Sequence, residues 1–359
     1  MIKDEIAILI SDAIKRAQNA GDLPSVPVPD APIERPQRPE HGDYATGLAM
    51  RLGRAASMAP LEIANIIARH IDTETLEPGA IAEVAVAPPG FINFRLSPGW
   101  LASQVTEILS QGSLFGNVAL GKGQKLQVEF VSANPVGPIH VGNGRGLALG
   151  DTLSRVLSAA GYEVQREYLV NDAGTQTQVF AETLYARYQQ LFGREVDIPQ
   201  GGYPGEYMIE LAEGLSRDFD DKLLRDPGEP PPPEIHDLGV QRMLEVIRAD
   251  LEAIGVQYDN WFSERSVYET GTYEKAMELL RERGFVAERE GAVWLVSSAL
   301  GEEKDNVLVR STGAPTYFAS DIAYHYDKFV IRAFDRVINV WGADHLGHVP
   351  RMKAAVSAL

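Results

Sequence analysis

His140, Asn143 and the glycines at 142, 144 and 146 form the densest chemical cluster in this sequence. Glycine lets a ligand approach the backbone, and His140 and Asn143 add side-chain donors about one helical turn apart. At the start of a helix, where free N–H groups and the dipole favour anions, such a set suits a phosphate. It is not a P-loop, which needs Gly-x-x-x-x-Gly-Lys-Ser/Thr. Its third glycine also comes one residue early for a dinucleotide fingerprint. A tight turn without a ligand is an equal reading of the glycines alone, and the lead-in Pro138-Ile-His-Val-Gly-Asn143 favours the phosphate.

Other residues could also do chemistry. Glu129 stands alone in a Val/Phe run, where a carboxylate is costly to bury unless it meets a cation. Tyr317 and Asp321 share a face if a helix begins there, although a capping or surface pair is the plainer reading of the residues alone. Asp344 and His345 follow an apolar run, and Gly342-Ala343 before them leaves room for a flat ring. A helix cap is the other reading. His345 and His348 have a spacing that some metal sites use, but no third ligand is near and no protein metal site is expected.

These residues need elements to hold them. The apolar-rich run Leu126 to Ser132 reads as a buried strand, and Asn134-Pro135 and Gly137-Pro138 mark a turn after it. Leu149, Leu153, Val156, Leu157 and Ala160 recur at helical spacing, Gly161 is a natural stop, and Tyr162 to Val170 reads as a second strand. Strand, loop, helix, strand is half of a nucleotide-binding unit, whose loop lies at the carboxyl edge where such sheets bind ligands. Asn171, Asp172 and Gln176 end the second strand, where a cleft contact and a structural cap are equally open. Helices expected at 175–192, 238–254 and 273–283 alternate with strands at 293–296 and 307–309 and a buried one at 337–341, which favours a parallel sheet. Residues 198–235, with Gly201-Gly202, Pro204-Gly205 and Pro230 to Pro233, read as turns and surface connection. Lys304 is expected to be solvated. Upstream, helices at 4–19, around 45–52, at 60–71 and at 101–109, with strands within 81–94, make a small α+β domain.

The chain has 359 residues, enough for two or three domains. It has no run of eighteen apolar residues and no basic-then-apolar N-terminus, so no membrane association is expected and a cytoplasmic protein is the default. With no cysteine, disulfides and thiolate chemistry are excluded. A net charge of −17 argues against a generally sticky nucleic-acid binder but leaves room for a local basic groove. Arg35, Arg38, Arg51 and Arg54 are a modest basic set.

Glu129-Phe-Val-Ser-Ala-Asn-Pro-Val-Gly-Pro-Ile-His-Val-Gly-Asn143 resembles the His-Ile-Gly-His signature of class I aminoacyl-tRNA synthetases. Its Ser-Ala-Asn-Pro-x-Gly-Pro lead-in is similar to that of bacterial arginyl enzymes. Glu167–Gly174, Asp305–Arg310, Tyr317–His325 and Trp341–His345 match the same family in the same order, and the resemblance runs from about residue 40 to the end. It implies an α/β protein with a Rossmann-type nucleotide-binding catalytic core at 114–359, interrupted by an insertion at about 196–305. A small α+β domain at 1–113 that contacts tRNA would precede the core. The implied activity joins L-arginine and ATP, with Mg2+ accompanying ATP, into arginyl-adenylate and then passes the arginyl group to tRNA(Arg). His140 and Asn143 are implied in catalysis, and His140, Gly142, Asn143, Gly342, Asp344 and His345 in ATP binding. Glu129, Ser132, Asn134, His140, Tyr317, Asp321 and Asp344 are implied at arginine: Tyr317 and Asp321 at the guanidinium with Glu129 nearby, Ser132 and Asn134 at the α-amino and carboxylate end. Asn143 replaces the motif's second histidine; an amide can donate a hydrogen bond but carries no charge.

A monomer is expected. Two rivals stay open: a small nucleotidyltransferase of the same superfamily, and an RNA-binding relative without turnover. The chain stops at Leu359 in an expected helix, before the family's Lys-Met-Ser-Lys loop and anticodon-binding domain. It is therefore expected to be C-terminally incomplete and inactive alone.

Overall fold

The structure, a computed structural model, describes residues 2–77 and 79–359, without the side chain of Asp344. The chain divides into two compact units, Met1–Phe115 and Gly116–Leu359. The first contains α1 (Ile2–Ala20), β1 (Tyr44–Thr46), α2 (Leu48–Ala56), α3 (Pro60–Arg69), β2 (Ile81–Ala87), β3 (Phe91–Leu96) and α4 (Pro98–Gln111). Its strands form an antiparallel sheet in the order β1-β3-β2. Ile6, Leu9, Ile10, Ala13, Ile14 and Ala17 recur at helical spacing along α1, and all are buried. They share one core with Leu48, Leu52, Ile63, Ile67 and Phe94. Pro60 opens α3, where a missing N–H costs nothing.

The second unit contains β4 (Lys125–Phe130), α5 (Val141–Ala159), β5 (Glu163–Val170), α6 (Thr175–Leu191), α7 (Glu206–Phe219), α8 (Pro233–Ala253) and β6 (Asn260–Ser263). There follow α9 (Ser266–Glu269), α10 (Thr272–Glu282), β7 (Val286–Arg289), β8 (Ala292–Leu295), β9 (Asn306–Val309) and α11 (Tyr317–Tyr326). A π-helical turn at Asp327–Ile331 leads to β10 (Arg336–Val340) and α12 (Val349–Ala358). Four strands form a parallel sheet in the order β10-β4-β5-β6. The chain runs outward from β4 to β6 and then returns to the far side of β4. The order therefore reverses between β4 and β10, and a crevice opens at the carboxyl ends of strands at such a switch point.

Several details differ from the sequence expectations. The stretch 198–235 holds α7, whose Met208, Leu211, Ala212 and Leu215 are buried in the core of this unit. The last residue of the proline run, Pro233, is the first of α8 and not part of an extended connection. The expected insertion at 196–305 supplies β6 to the parallel sheet, so it does not lie wholly outside the nucleotide fold. Only four residues long, β6 is too short to show a period. The strands expected at 293–296 and 307–309 belong to a separate antiparallel sheet, β7-β8-β9. β10 is a half-buried edge strand and not a buried one.

Helix α5 lies close on β4. A Cβ at Gly150 would stand 2.1 Å from Cγ of Phe130, a buried residue of β4. Glycine is thus required by contact, and Gly150→Ala must push helix or ring aside. It should cost about 1–3 kcal/mol of stability, the usual penalty of overpacking, in urea unfolding followed by circular dichroism. An unchanged midpoint would contradict the close approach.

Candidate functional site

A cavity of about 340 Å³ opens at the switch point, between the residues after β4 and those after β10. Glu129, Ser132, Asn134, Asp321, Gly342 and His345, drawn from widely separated parts of the chain, all line it. Asn171 and His348 line it as well, together with Val131, Ala133, Leu169, Val340 and Trp341.

The wall after β4 is held under strain. Val131 and Ser132 have φ of 67° and 43°, a left-handed conformation that costs a β-branched residue most. Hydrogen bonds keep it there. Ser132 Oγ donates to Glu129 Oε1 at 3.3 Å and accepts from the Leu169 N–H at 3.1 Å, and Tyr168 OH donates to the Ala133 carbonyl at 2.8 Å. Asn134 accepts from Asn171 Nδ2 at 2.7 Å and donates to Gln176 Oε1 at 2.5 Å. Asn171 and Gln176 therefore brace the cavity wall. Asp172 acts as a cap, accepting from Ser263 Oγ at 2.5 Å and the Arg265 N–H at 3.0 Å.

A row of polar side chains crosses the sheet. Asn339, Glu129, Glu167 and Asn260 stand opposite one another on β10, β4, β5 and β6. Glu129 and Glu167 are 4% and 0% exposed, so two carboxylates sit side by side in the interior. Their counter-charges come from one helical segment. Tyr324, Lys328 and Arg332 follow at intervals of four, which places them along one face of α11 and its π-helical extension. Lys328 Nζ donates to Glu129 Oε2 at 2.6 Å and to Asn339 Oδ1 at 3.0 Å, and lies 4.0 Å from the centre of the Tyr324 ring. Arg332 forks onto both oxygens of Glu167, with Nη2 to Oε1 at 2.9 Å; Tyr324 OH and Asn260 Nδ2 complete that carboxylate's partners. Burial alone would raise the pKa of Glu167, but Arg332, Asn260 and Tyr324 together hold it below the ordinary carboxylate value. Glu129 thus meets the cation that its burial demanded, and that cation belongs to the same chain. No sequence pattern distinguishes Lys328 from a solvated lysine.

Asp321 is the more open carboxylate of the cavity, with its side chain 32% exposed. His348 Nε2 stands 2.8 Å from its Oδ2, and Arg351 Nε donates to the other nitrogen of that ring at 2.6 Å. Behind it, His325 Nδ1 donates to the Asp321 carbonyl at 2.8 Å while Asn339 Nδ2 donates to His325 Nε2 at 2.9 Å. Burial, and then the charge of Lys328, push His325 down to about 3, so the ring stays neutral and relays the network without titrating. Sequence reading also missed Glu264. Burial, and then Asp321 and Asp172, push it up to about 7.

The phosphate cluster lies at the start of α5, outside the lining of this cavity. His140 is the N-cap: its Nδ1 accepts the Gly142 N–H at 3.1 Å, which leaves Nε2 as the protonated donor. Asn143 Oδ1 accepts the His140 N–H at 3.1 Å and turns the amide NH2 into the end that can donate. Both side chains thus close a capping box and still present a donor. Tyr317 begins α11, as its spacing to Asp321 requires, but is 64% exposed and lies against Gly174 instead of lining the cavity. The side chain of Asp344 lies outside the described residues.

Residues 4–96 match the family model of the arginyl tRNA synthetase N terminal domain, and residues 104–200 match that of the tRNA synthetases class I (R) catalytic domain. An arginine–tRNA ligase of Dehalococcoides mccartyi is 51% identical over 100% of this chain and 64% of its own length. One of Desulfitobacterium hafniense is 49% identical over 100% and 63%. The chain belongs to the arginyl-tRNA synthetase family. Its second unit is the Rossmann-type core of a class I synthetase, preceded by a small α+β domain. The arginyl-tRNA synthetase of Thermus thermophilus superposes with a TM-score of 0.52 at 26% identity, over 92% of this chain and 54% of that one. A Campylobacter jejuni chain, provisionally named an arginyl tRNA synthetase, gives 0.66 at 37% identity over 74% and 57%. This chain thus spans 64% of the length of the Dehalococcoides mccartyi relatives.

The Arg332–Glu167 pair makes a stability prediction. A carboxylate held below its ordinary value stabilises the fold above pH 4.5 and loses that contribution as pH falls through its folded value. Arg332→Met strands the carboxylate and should cost about 3–5 kcal/mol at pH 7. The gap to the unaltered chain should narrow on acidification, when Glu167 is protonated in both. Urea unfolding at pH 7 and at lower pH measures it, and a gap independent of pH would assign the loss to packing instead.

Proposed function

We propose that this chain carries the arginine- and ATP-binding parts of an arginine–tRNA ligase. One observation carries the reading: Glu129, Ser132, Asn134, Asp321, Gly342 and His345 meet in one cavity at the switch point of the sheet. Close family membership supports it. In this reading the guanidinium faces Asp321, because arginine's flat fork of donors pairs best with a carboxylate in fixed geometry. Ser132 and Asn134, fixed by Leu169, Asn171 and Gln176, meet the α-amino and carboxylate end. Gly342 and His345 face the nucleotide, while Tyr317, outside the cavity lining, is left out of this site.

The reaction needs no covalent intermediate on the protein. A carboxylate oxygen of arginine attacks the α-phosphorus of ATP, the bond to the β-phosphate breaks, and pyrophosphate leaves. The terminal ribose hydroxyl of tRNA(Arg) then takes the arginyl group and AMP departs. The protein's part is to position the reactants and stabilise charge. His140 Nε2 and the Asn143 amide NH2 at the opening of α5 are the donors available for the phosphates, and Gly142 lets them approach the backbone. Mg2+ would travel with ATP on its phosphates. The first unit would bind tRNA away from the acceptor end.

Calorimetry with L-arginine tests the pocket. Asp321→Asn keeps the shape and removes the charge, and should lose about 2–5 kcal/mol of arginine binding while ATP affinity holds. An unchanged arginine affinity would refute the assignment. In an enzyme of the relatives' full length, His140→Ala should slow arginine-dependent ATP–pyrophosphate exchange by about 10²–10³-fold, the cost typical of one charge-stabilising donor. A full rate would remove His140 from the chemistry. Deleting the first unit should weaken tRNA binding at one fixed salt concentration and leave arginine and ATP affinities near normal. Equal tRNA affinity would exclude the contact.

A further inference from the structure

His348 stands at the start of α12, and its imidazole is packed between two rings and two charges. The Phe318 and Trp341 rings lie 5.9 and 5.2 Å from it, and the residue is 8% exposed. Arg351, one turn along, donates from Nε to the Nδ1 of this ring at 2.6 Å. A guanidinium has no acceptor, so Nδ1 is the bare nitrogen and the ring's proton belongs on Nε2. That second nitrogen is buried, and no aligned hydrogen bond satisfies it among the described residues. Asp321 Oδ2, 2.8 Å away, is the acceptor within its reach. A neutral imidazole can hold a carboxylate in one orientation without cancelling its charge, whereas an imidazolium would form an ion pair with it.

We propose that His348 and Arg351 are a positioning pair for the guanidinium site: Arg351 keeps the imidazole proton on Nε2, and His348 orients the Asp321 carboxylate while leaving its negative charge to the ligand. This rests on the arginine reading above. With Oδ2 engaged by the ring, Oδ1 is left for the incoming cation. Without Arg351, Nδ1 is free to take a proton; the imidazolium then pairs with Asp321 and competes with the guanidinium. The charged or titratable groups around the ring are Asp321 and His325 from α11, His345 from the turn after β10, and Arg351 from α12. Glu129 lines the same cavity from β4. Of these, Arg351 is the one bonded to Nδ1.

L-arginine binding is measured by calorimetry from about pH 8 to about pH 6, the range in which an imidazole ordinarily titrates. Arg351→Met should bind arginine nearly normally at the upper end. By the lower end it should have lost on the order of tenfold more affinity than the unaltered chain, the scale of one opposing charge beside the ligand. In Arg351→Met/His348→Gln that extra loss should vanish, because an amide does not titrate. Glu264, pushed up to about 7, titrates in every variant and cancels in the comparison. At the upper end His348→Gln, which keeps an N–H donor, should stay within about threefold of the unaltered chain. His348→Leu, which frees the carboxylate, should weaken arginine about five- to tenfold, the scale of one side chain ordered on binding. An Arg351→Met profile parallel to that of the unaltered chain would overturn the proposal, as would an extra loss that persists in the double variant. Equal weakening by Gln and Leu would show packing alone and overturn it too. If His348→Leu does not fold, the Arg351→Met profile decides. An Asp321→Asn variant that binds arginine normally would instead sink the arginine reading, and this inference with it.

Discussion

Two buried carboxylates, Glu129 and Glu167, stand opposite each other on adjacent strands, and the rest of the second unit is arranged to make that tolerable. Like charges directly across a sheet repel, and burial removes the water that would screen them. Lys328 and Arg332 supply the two counter-charges, with Tyr324 bridging between them. These three residues follow at intervals of four, so α11 must run past the sheet face in one orientation and continue into the π-helical turn. The same helix carries Asp321. The demand of the carboxylates for cations thereby fixes where the open charge of the cavity stands.

Compensated charge below and open charge at the wall make a pocket suited to a cation. Left unpaired, the Glu129 carboxylate on the floor would carry a large desolvation cost to the fold itself. Glu129 is matched by Lys328 within the chain, and Asp321 has His348 beside it. His325, held neutral by burial and by the nearby ammonium, links the Asp321 backbone to Asn339 on the far strand. Burial first, and then Asp321 and Asp172, suppress the ionisation of Glu264 nearby. The strained pair Val131–Ser132 fits this arrangement too: turning the chain sharply at the end of β4 lets Ser132 reach Glu129 and Leu169 at once.

A chain with net charge −17 is an unusual partner for a polyanion such as tRNA. Near the cavity the acidic groups Glu129 and Asp321 converge. Any phosphate must then be met by local dipoles more than by bulk charge. The start of α5 has that character: a capped helix end with neutral donors from His140 and Asn143 and no crowding side chain at Gly144 or Gly146.

Much of this was legible in the sequence, for physical reasons that can be named. Periodicity determined α1, whose expected stripe is buried, and placed α5, although Leu149 and Val156 of its expected stripe are exposed; β4 was legible as an apolar run. The turn residues located the end of β4, and the oddity of a lone Glu129 announced a buried cation before its identity was known. The motifs named the family. Tertiary structure alone decided which cation it was, since Lys328 lies 199 residues away and its spacing to Tyr324 and Arg332 acquires meaning only beside a sheet. It alone set the strand order, in which four-residue β6 joins the parallel sheet while β7–β9 form another. It also separated Tyr317 from Asp321, which share a helix face in sequence but not a cavity. Local pattern records what a segment buries; only the packed chain determines which buried groups face one another, and charge pairing depends on that.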